Sequence, residues 1–113
     1  MHELRIAESI VKISTKEIER QHLTGIRAIG VRIGALAGVN ADSLLFGFEA
    51  ITVDTPLAGV KLEVEEVPVK GKCHSCRNDF EIKEFIFVCP HCYSSDIEIS
   101  QGQELDIAYI ETD

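Results

Sequence analysis

The sequence predicts an α+β fold, two helices packed on a three-stranded mixed sheet, interrupted by a small four-cysteine lobe. Three observations lead there. Apolar residues recur at helical spacing over 3–22 and 41–52, and alternate with polar ones over 26–36, 60–67 and 103–111. All four cysteines fall in one short stretch, Cys73 to Cys92. The alternating pattern resumes after that stretch, so the cysteines interrupt a larger unit. The main domain is expected to be residues 1–69 plus 98–113, with 70–97 as the inserted lobe.

Each element has its own signal. In the first helix Leu4, Ala7, Val11, Ser14 and Ile18 form a stripe that Ile6, Ile10 and Ile13 widen, while Lys12, Lys16, Glu17, Glu19 and Arg20 lie off it. Thr24-Gly25 is a stop. In the first strand Ile29, Val31 and Ile33 share one face, opposite Ala28, Gly30 and Arg32. Gly34, Gly38 and Asn40 then mark a loop. Asn40 suits an N-cap, because its side chain can accept a bond from an unpaired backbone N–H. Leu44, Phe48 and Ile51 give the second helix its apolar face. Pro56 and Gly59 break the chain before the next strand, where Val60, Leu62 and Val64 point inward. Gly102 marks a turn before the last strand, in which Leu105, Ile107 and Tyr109 share a face.

Composition narrows the function. The chain has 113 residues, 45% of them hydrophobic, enough for a real core in one domain with a small satellite. No run approaches the roughly 20 apolar residues of a membrane span. The start, MHELRIAESIV, lacks the basic stretch, apolar run and small-residue cleavage site of a signal peptide. A cytoplasmic protein is therefore expected, in a compartment that keeps thiols reduced. A formal net charge of −8 repels phosphate backbones and anionic lipids, which disfavours nucleic acid and membrane as partners.

The cysteines form two C-x2-C knuckles, Cys73-His-Ser-Cys76 and Cys89-Pro-His-Cys92. Each tight turn brings two sulfurs to one side, and two turns complete a tetrahedron of thiolates. Pro90 stiffens the second knuckle by fixing its φ. The result is a zinc-ribbon-like lobe whose small core would come from Phe80, Ile82, Phe85, Phe87 and Val88. Two disulfides or a redox C-x2-C are disfavoured by the pairing of the knuckles; rubredoxin-type iron is not separated from zinc by spacing. Four protein thiolates close the shell, which points to a structural and not a catalytic zinc. His74 and His91 sit inside the knuckles as exposed turn residues or as substitute ligands. No Ser/His/Asp set, glycine-rich phosphate loop or paired-acid motif stands out, so an enzyme is not expected.

At the N-terminus, Met1-His2-Glu3 reads from composition alone as a helix start, Glu3 complementing the dipole. Its chemistry permits more. The Met1 amine, the His2 amide nitrogen and one His2 imidazole nitrogen can chelate a single ion in fused rings. The amide or carboxylate of Glu3 can add a fourth donor. Such nitrogen-rich planar sets suit Ni(II) or Cu(II).

Taken together, the chain resembles the hydrogenase nickel-incorporation proteins of the HypA/HybF type. The resemblance runs over essentially the whole length. It rests on Met1-His2-Glu3-Leu4, Ile33-Gly34, Ser43-Leu44 with Phe48-Glu49, the paired knuckles, and Gly102-x-Glu104-Leu105. It implies a nickel metallochaperone for [NiFe]-hydrogenase maturation. Transient Ni(II) would sit at Met1, His2 and Glu3, and structural Zn(II) at Cys73, Cys76, Cys89 and Cys92. The implied partners are a HypB-type GTPase, the [NiFe]-hydrogenase large subunit and, in some organisms, urease maturation factors; homo-oligomerisation is left open. The chain departs from some relatives in two ways. Asn40 stands where they carry Asp, and Arg77, Asn78 and Tyr93 stand where they place a His after or near each cysteine pair. The rival reading is a zinc-ribbon interaction or regulatory module with no nickel role.

Overall fold

The computed structural model describes residues 2–113; Met1 lies outside them. In chain order the elements are α1 (His2–Gln21), β1 (Ile26–Gly34), a 3-10 turn (Ala35–Ala37), α2 (Ala41–Thr52), β2 (Lys61–Val67), β3 (Lys70–Cys73), β4 (Asp79–Glu81), β5 (Ile97–Gln101) and β6 (Leu105–Thr112). The expected α+β architecture is present, with two helices and a three-stranded mixed sheet in the order β2-β1-β6. A second three-stranded sheet, ordered β4-β3-β5, forms in the cysteine lobe. The chain divides into two compact units, one of Met1–Arg32, Val39–Glu65 and Asp106–Asp113, the other of Ile33–Gly38 and Glu66–Leu105.

In the first unit both helices bury one stripe. Ala7, Ile10 and Ser14 are buried on α1, and Leu44, Phe48 and Thr52 on α2. Ile13, expected to widen the α1 stripe, is 57% exposed. It lies at the angular edge of the buried face, one residue short of Ser14. Gly47 brings the helices close: a Cβ there would already touch the Leu4 side chain and the Ala7 Cβ at 3.6 and 3.9 Å. The cap expected at Asn40 is formed, its side-chain oxygen accepting from the Ser43 N–H at 2.9 Å. At the other end the Thr52 hydroxyl donates to the Phe48 carbonyl at 2.8 Å, which satisfies its buried oxygen within the helix.

Strand β1 is central, so the simple alternation expected of it is lost and Ala28, Ile29, Gly30 and Val31 are all buried. Gly30 is buried by a ring. The Tyr109 side chain on β6 lies over it, leaving no room for a Cβ, and donates its hydroxyl to Glu63 on β2. One tyrosine thus ties the two outer strands across a glycine on the middle one.

The second unit is built around β3. It pairs antiparallel with β4, Gly71 opposite Phe80, and with β5, Cys73 opposite Ile97. Phe80 and Ile82 close over Gly71, where a Cβ would meet them at 3.1 and 3.0 Å. The buried cluster is Val69, Cys73, Phe80, Ile82 and Cys89, with Leu36, Cys76, Ile97 and Ile99 against it. The expectation that Phe85, Phe87 and Val88 belong to this core is corrected: they are 65%, 41% and 38% exposed. The chain takes left-handed φ at both Glu84 and Phe85, and that turn carries the run from Phe85 to Val88 away from the sheet. The same unit holds residues 33–38 through backbone bonds from Gly34 N–H to the Glu104 carbonyl (2.7 Å) and from Leu36 N–H to the Gly102 carbonyl (2.8 Å).

Urea unfolding followed by circular dichroism should find Leu44→Ala less stable by about 2–5 kcal/mol, because Leu44 is fully buried. Phe46→Ala, on a side chain 66% exposed, should stay within about 0.5 kcal/mol of the parent.

Candidate metal centre

Two knuckles of matching backbone build the site. In the first, Arg77 N–H donates to the Cys73 carbonyl and Cys73 N–H to the Asn78 carbonyl, at 2.9 and 3.0 Å. In the second, Tyr93 N–H donates to the Cys89 carbonyl and Cys89 N–H to the Ser94 carbonyl, at 2.8 and 2.9 Å. Arg77 and Tyr93 hold equivalent places and both are left-handed, at φ 64° and 62°. The knuckles are bound to each other by a hydrogen bond between the Ser75 and Ser94 hydroxyls at 3.0 Å.

This scaffold brings together all four cysteines expected from the sequence. Their sulfurs lie within 4.8 Å of one another, with Cys73 to Cys92 at 3.5 Å and Cys76 to Cys89 at 3.6 Å. All four are free thiols, much too far apart to be disulfides. Zinc–sulfur bonds of about 2.3 Å in a regular tetrahedron give sulfur–sulfur edges of roughly 3.8 Å. The spacing therefore fits a zinc site, and the donor set is the soft one zinc prefers.

The sulfurs are also supplied with hydrogen-bond donors. Cys76 N–H points at the Cys73 sulfur (3.4 Å), His91 N–H at the Cys89 sulfur (3.4 Å), and the Asn78 side-chain amide at the Cys76 sulfur (3.3 Å). Before metal enters, the thiols compete for ionisation. The Cys76 N–H, ahead of smaller contributions, brings Cys73 down to about 6 against the effect of burial. The Ser94 N–H favours ionised Cys92, but the Cys73 sulfur, burial and the Cys76 and Cys89 sulfurs outweigh it and push Cys92 up to about 12. Sulfurs this close ionise together only around a cation, so metal binding must release protons.

Neither knuckle histidine joins the cluster among the described residues. His74 faces the other way, its Nδ1 at 3.0 Å from an Asp96 oxygen and its Nε2 at 3.6 Å from Glu98. Asp96, chiefly through its hydrogen bond, raises the His74 pKa above the ordinary value. The Asp96 and Glu98 partners, like the Asn78 and Ser75–Ser94 contacts, could not be found by motif, since only the knuckle fold brings them together.

At the start of α1 the structure describes two of the three residues expected to hold a second metal; Met1 lies outside the described residues. His2 is 55% exposed at its side chain and its Nε2 is 3.5 Å from a Glu3 carboxylate oxygen. The same oxygen accepts the Asn40 N–H at 3.1 Å. That bond, then Glu3's own N–H, with His2 contributing less, holds the Glu3 carboxyl below the usual range. Asn40 thus links both ends of the arrangement, its N–H on Glu3 and its side chain on Ser43.

Comparison with known proteins agrees with this layout. A sequence profile of the family described as "Hydrogenase/urease nickel incorporation, metallochaperone, hypA" matches residues 1–112. The chain is 42% identical over 113 residues to a hydrogenase maturation factor HypA of Chloroflexus aggregans, covering 99% of each chain. It is 35% identical over 113 residues to that of Azotobacter vinelandii, covering 100% of both. Its fold is similar to the solution structure of the Ni metallochaperone HypA from Helicobacter pylori, with TM-score 0.68 at 20% identity over 97% of this chain and 96% of that one. A second solution structure of a HypA protein gives TM-score 0.74 at 21% identity over 99% and 96%.

Two measurements follow. Cys73→Ser should lower bound zinc, by metal analysis, from one per chain to near none, with loss of amide dispersion over residues 70–101. In a ring-nitrogen NMR titration His74 should give a midpoint above about 6.5 that Asp96→Asn lowers. The His74–Asp96 pair should steady the lobe in full below about 6.5, its contribution fading as pH rises through the raised folded value.

Proposed function

Because the chain belongs to the HypA family of hydrogenase/urease nickel-incorporation metallochaperones, we propose that it binds Ni(II) at Met1, His2 and Glu3 and delivers it for [NiFe]-hydrogenase maturation. Zn(II) at Cys73, Cys76, Cys89 and Cys92 is the structural metal in this reading. The observation that carries the nickel assignment is that α1 begins at His2. The first four N–H groups of a helix have no partner within it. The amide nitrogens of His2 and Glu3 are therefore not consumed by helix hydrogen bonds and can serve as donors beside the His2 imidazole and the Met1 amine.

Glu3 supports this arrangement from the side. Its carboxylate is kept anionic and is anchored on the Asn40 N–H. An anchored anion close to His2 raises the local concentration of the cation without closing around it. One anionic side chain and a short run of nitrogen donors bind nickel loosely enough to give it up. A HypB-type GTPase and the hydrogenase large subunit are the proposed partners in that handover, with urease maturation as a further outlet and the cytoplasm as the setting.

The Zn(Cys)4 shell leaves no vertex for substrate, so the lobe has a folding role and the exchangeable metal belongs to the helix start. Nickel titration with metal analysis tests the division. The untagged protein should take up one nickel per chain beside its zinc. His2→Ala should keep the zinc and lose the nickel. Residues added before Met1 should also weaken nickel, because they turn the amine into an amide. Acid should displace nickel as protons compete for the imidazole. Full nickel uptake by His2→Ala would leave a zinc module without a nickel role at this tripeptide.

A further inference from the structure

The four cysteines differ in their exposure. Cys73 and Cys89 are fully buried, Cys76 is half-buried and Cys92 is exposed. The residue two places after each knuckle differs as well. After the first it is Asn78, whose side-chain amide lies 3.3 Å from the Cys76 sulfur. After the second it is Ser94, whose hydroxyl is turned away, to the Ser75 hydroxyl and the Asp96 N–H, each at 3.0 Å. The flanking residues do not make up for it: His91 is exposed and Tyr93 is 81% exposed.

A thiolate on zinc keeps a reactive electron pair, the more so when the centre carries a formal charge of about −2. Hydrogen bonds to sulfur withdraw that pair, and access decides which sulfur a reagent meets first. Cys92 is the exposed cysteine of the four, and its hydrogen bonds are to the Ser94 N–H and to the other sulfurs of the cage, with no counterpart of the Asn78 amide.

We propose that Cys92 is a modification site at which soft carbon electrophiles, of the α,β-unsaturated carbonyl class, open the zinc centre, while Asn78 shields Cys76. This rests on the zinc reading above. The Cys92 sulfur donates its pair to the β-carbon of the alkene and forms a carbon–sulfur bond. The displaced π pair becomes an enolate, which takes a proton from water. The thioether left behind is neutral and a weak ligand, so a zinc ion held by the cage would keep only the thiolates of Cys73, Cys76 and Cys89 and would be bound less tightly.

The test uses the full chain with its zinc content measured first, so a failure of the zinc reading shows before any reagent is added. N-ethylmaleimide is supplied below one equivalent, adducts are located by peptide mass spectrometry, and zinc release is followed with a chromogenic chelator. All the cysteines in the chain belong to the site, so every adduct reports on it. The first adduct should fall on Cys92, and zinc should leave in step with it. In Asn78→Ala with an unchanged circular dichroism spectrum, adducts at Cys76 should rise about three- to tenfold relative to Cys92. First modification of Cys73, Cys76 or Cys89, an even spread, or zinc loss running ahead of adduct formation would overturn the proposal. An unchanged Cys76 rate in Asn78→Ala would overturn the shielding role.

Discussion

Four sulfurs converging on one point are the constraint on which the second unit depends. The buried cluster around the sulfurs has only Val69, Phe80 and Ile82 apart from cysteine, and Val67 and Ile33 are the other buried apolar side chains of the unit, few for a segment as long as Glu66–Leu105. Its strands are short, and β4 has three residues. Two of the five residues in that cluster are themselves thiols, Cys73 and Cys89, so the small core is also part of the sulfur cage. Without a cation the sulfurs resist common ionisation; with one, the same closeness turns into cohesion.

The first unit meets its needs differently. Two helices give it a continuous apolar interior, and its polar contacts are placed where they orient chain segments. Tyr109 reaches Glu63 across Gly30, and Glu3 reaches the Asn40 N–H across the start of both helices. The second contact sets the start of α1 against the start of α2, where unpaired N–H groups gather and an anion is stabilised. The closed sulfur cage and the open helix start are thus opposite arrangements, one enclosed by four side chains and the other facing solvent.

Much of this was legible in the sequence, for identifiable reasons. The helices and β1, β2 and β6 were visible because each is long enough for its period to show. The α2 start was visible because Asn40 is a cap whose partner, Ser43, is three residues away. The convergence of the four cysteines was visible because knuckle geometry is written in spacing. The lobe strands β3, β4 and β5 were not, since three to five residues carry no period. The run from Phe85 to Val88 misled because hydrophobicity says what a residue favours, and not whether a small unit has room for it. The Glu3–Asn40 bond spans 37 positions and leaves no local mark. The burial of Gly30 was hidden likewise, because the ring that covers it comes from the far end of the chain.

Arg77 and Tyr93 hold the left-handed turns that close the two knuckles, and neither is glycine. A side chain held there costs of order 1 kcal/mol, which glycine would avoid. Both knuckles therefore sit under tension at the same point, and whatever occupies the cage must overcome it twice. Strain of that kind lowers the net gain from closing the cage and so eases its opening once one sulfur is lost. Glycine at both places would remove that cost and leave the cage slower to open.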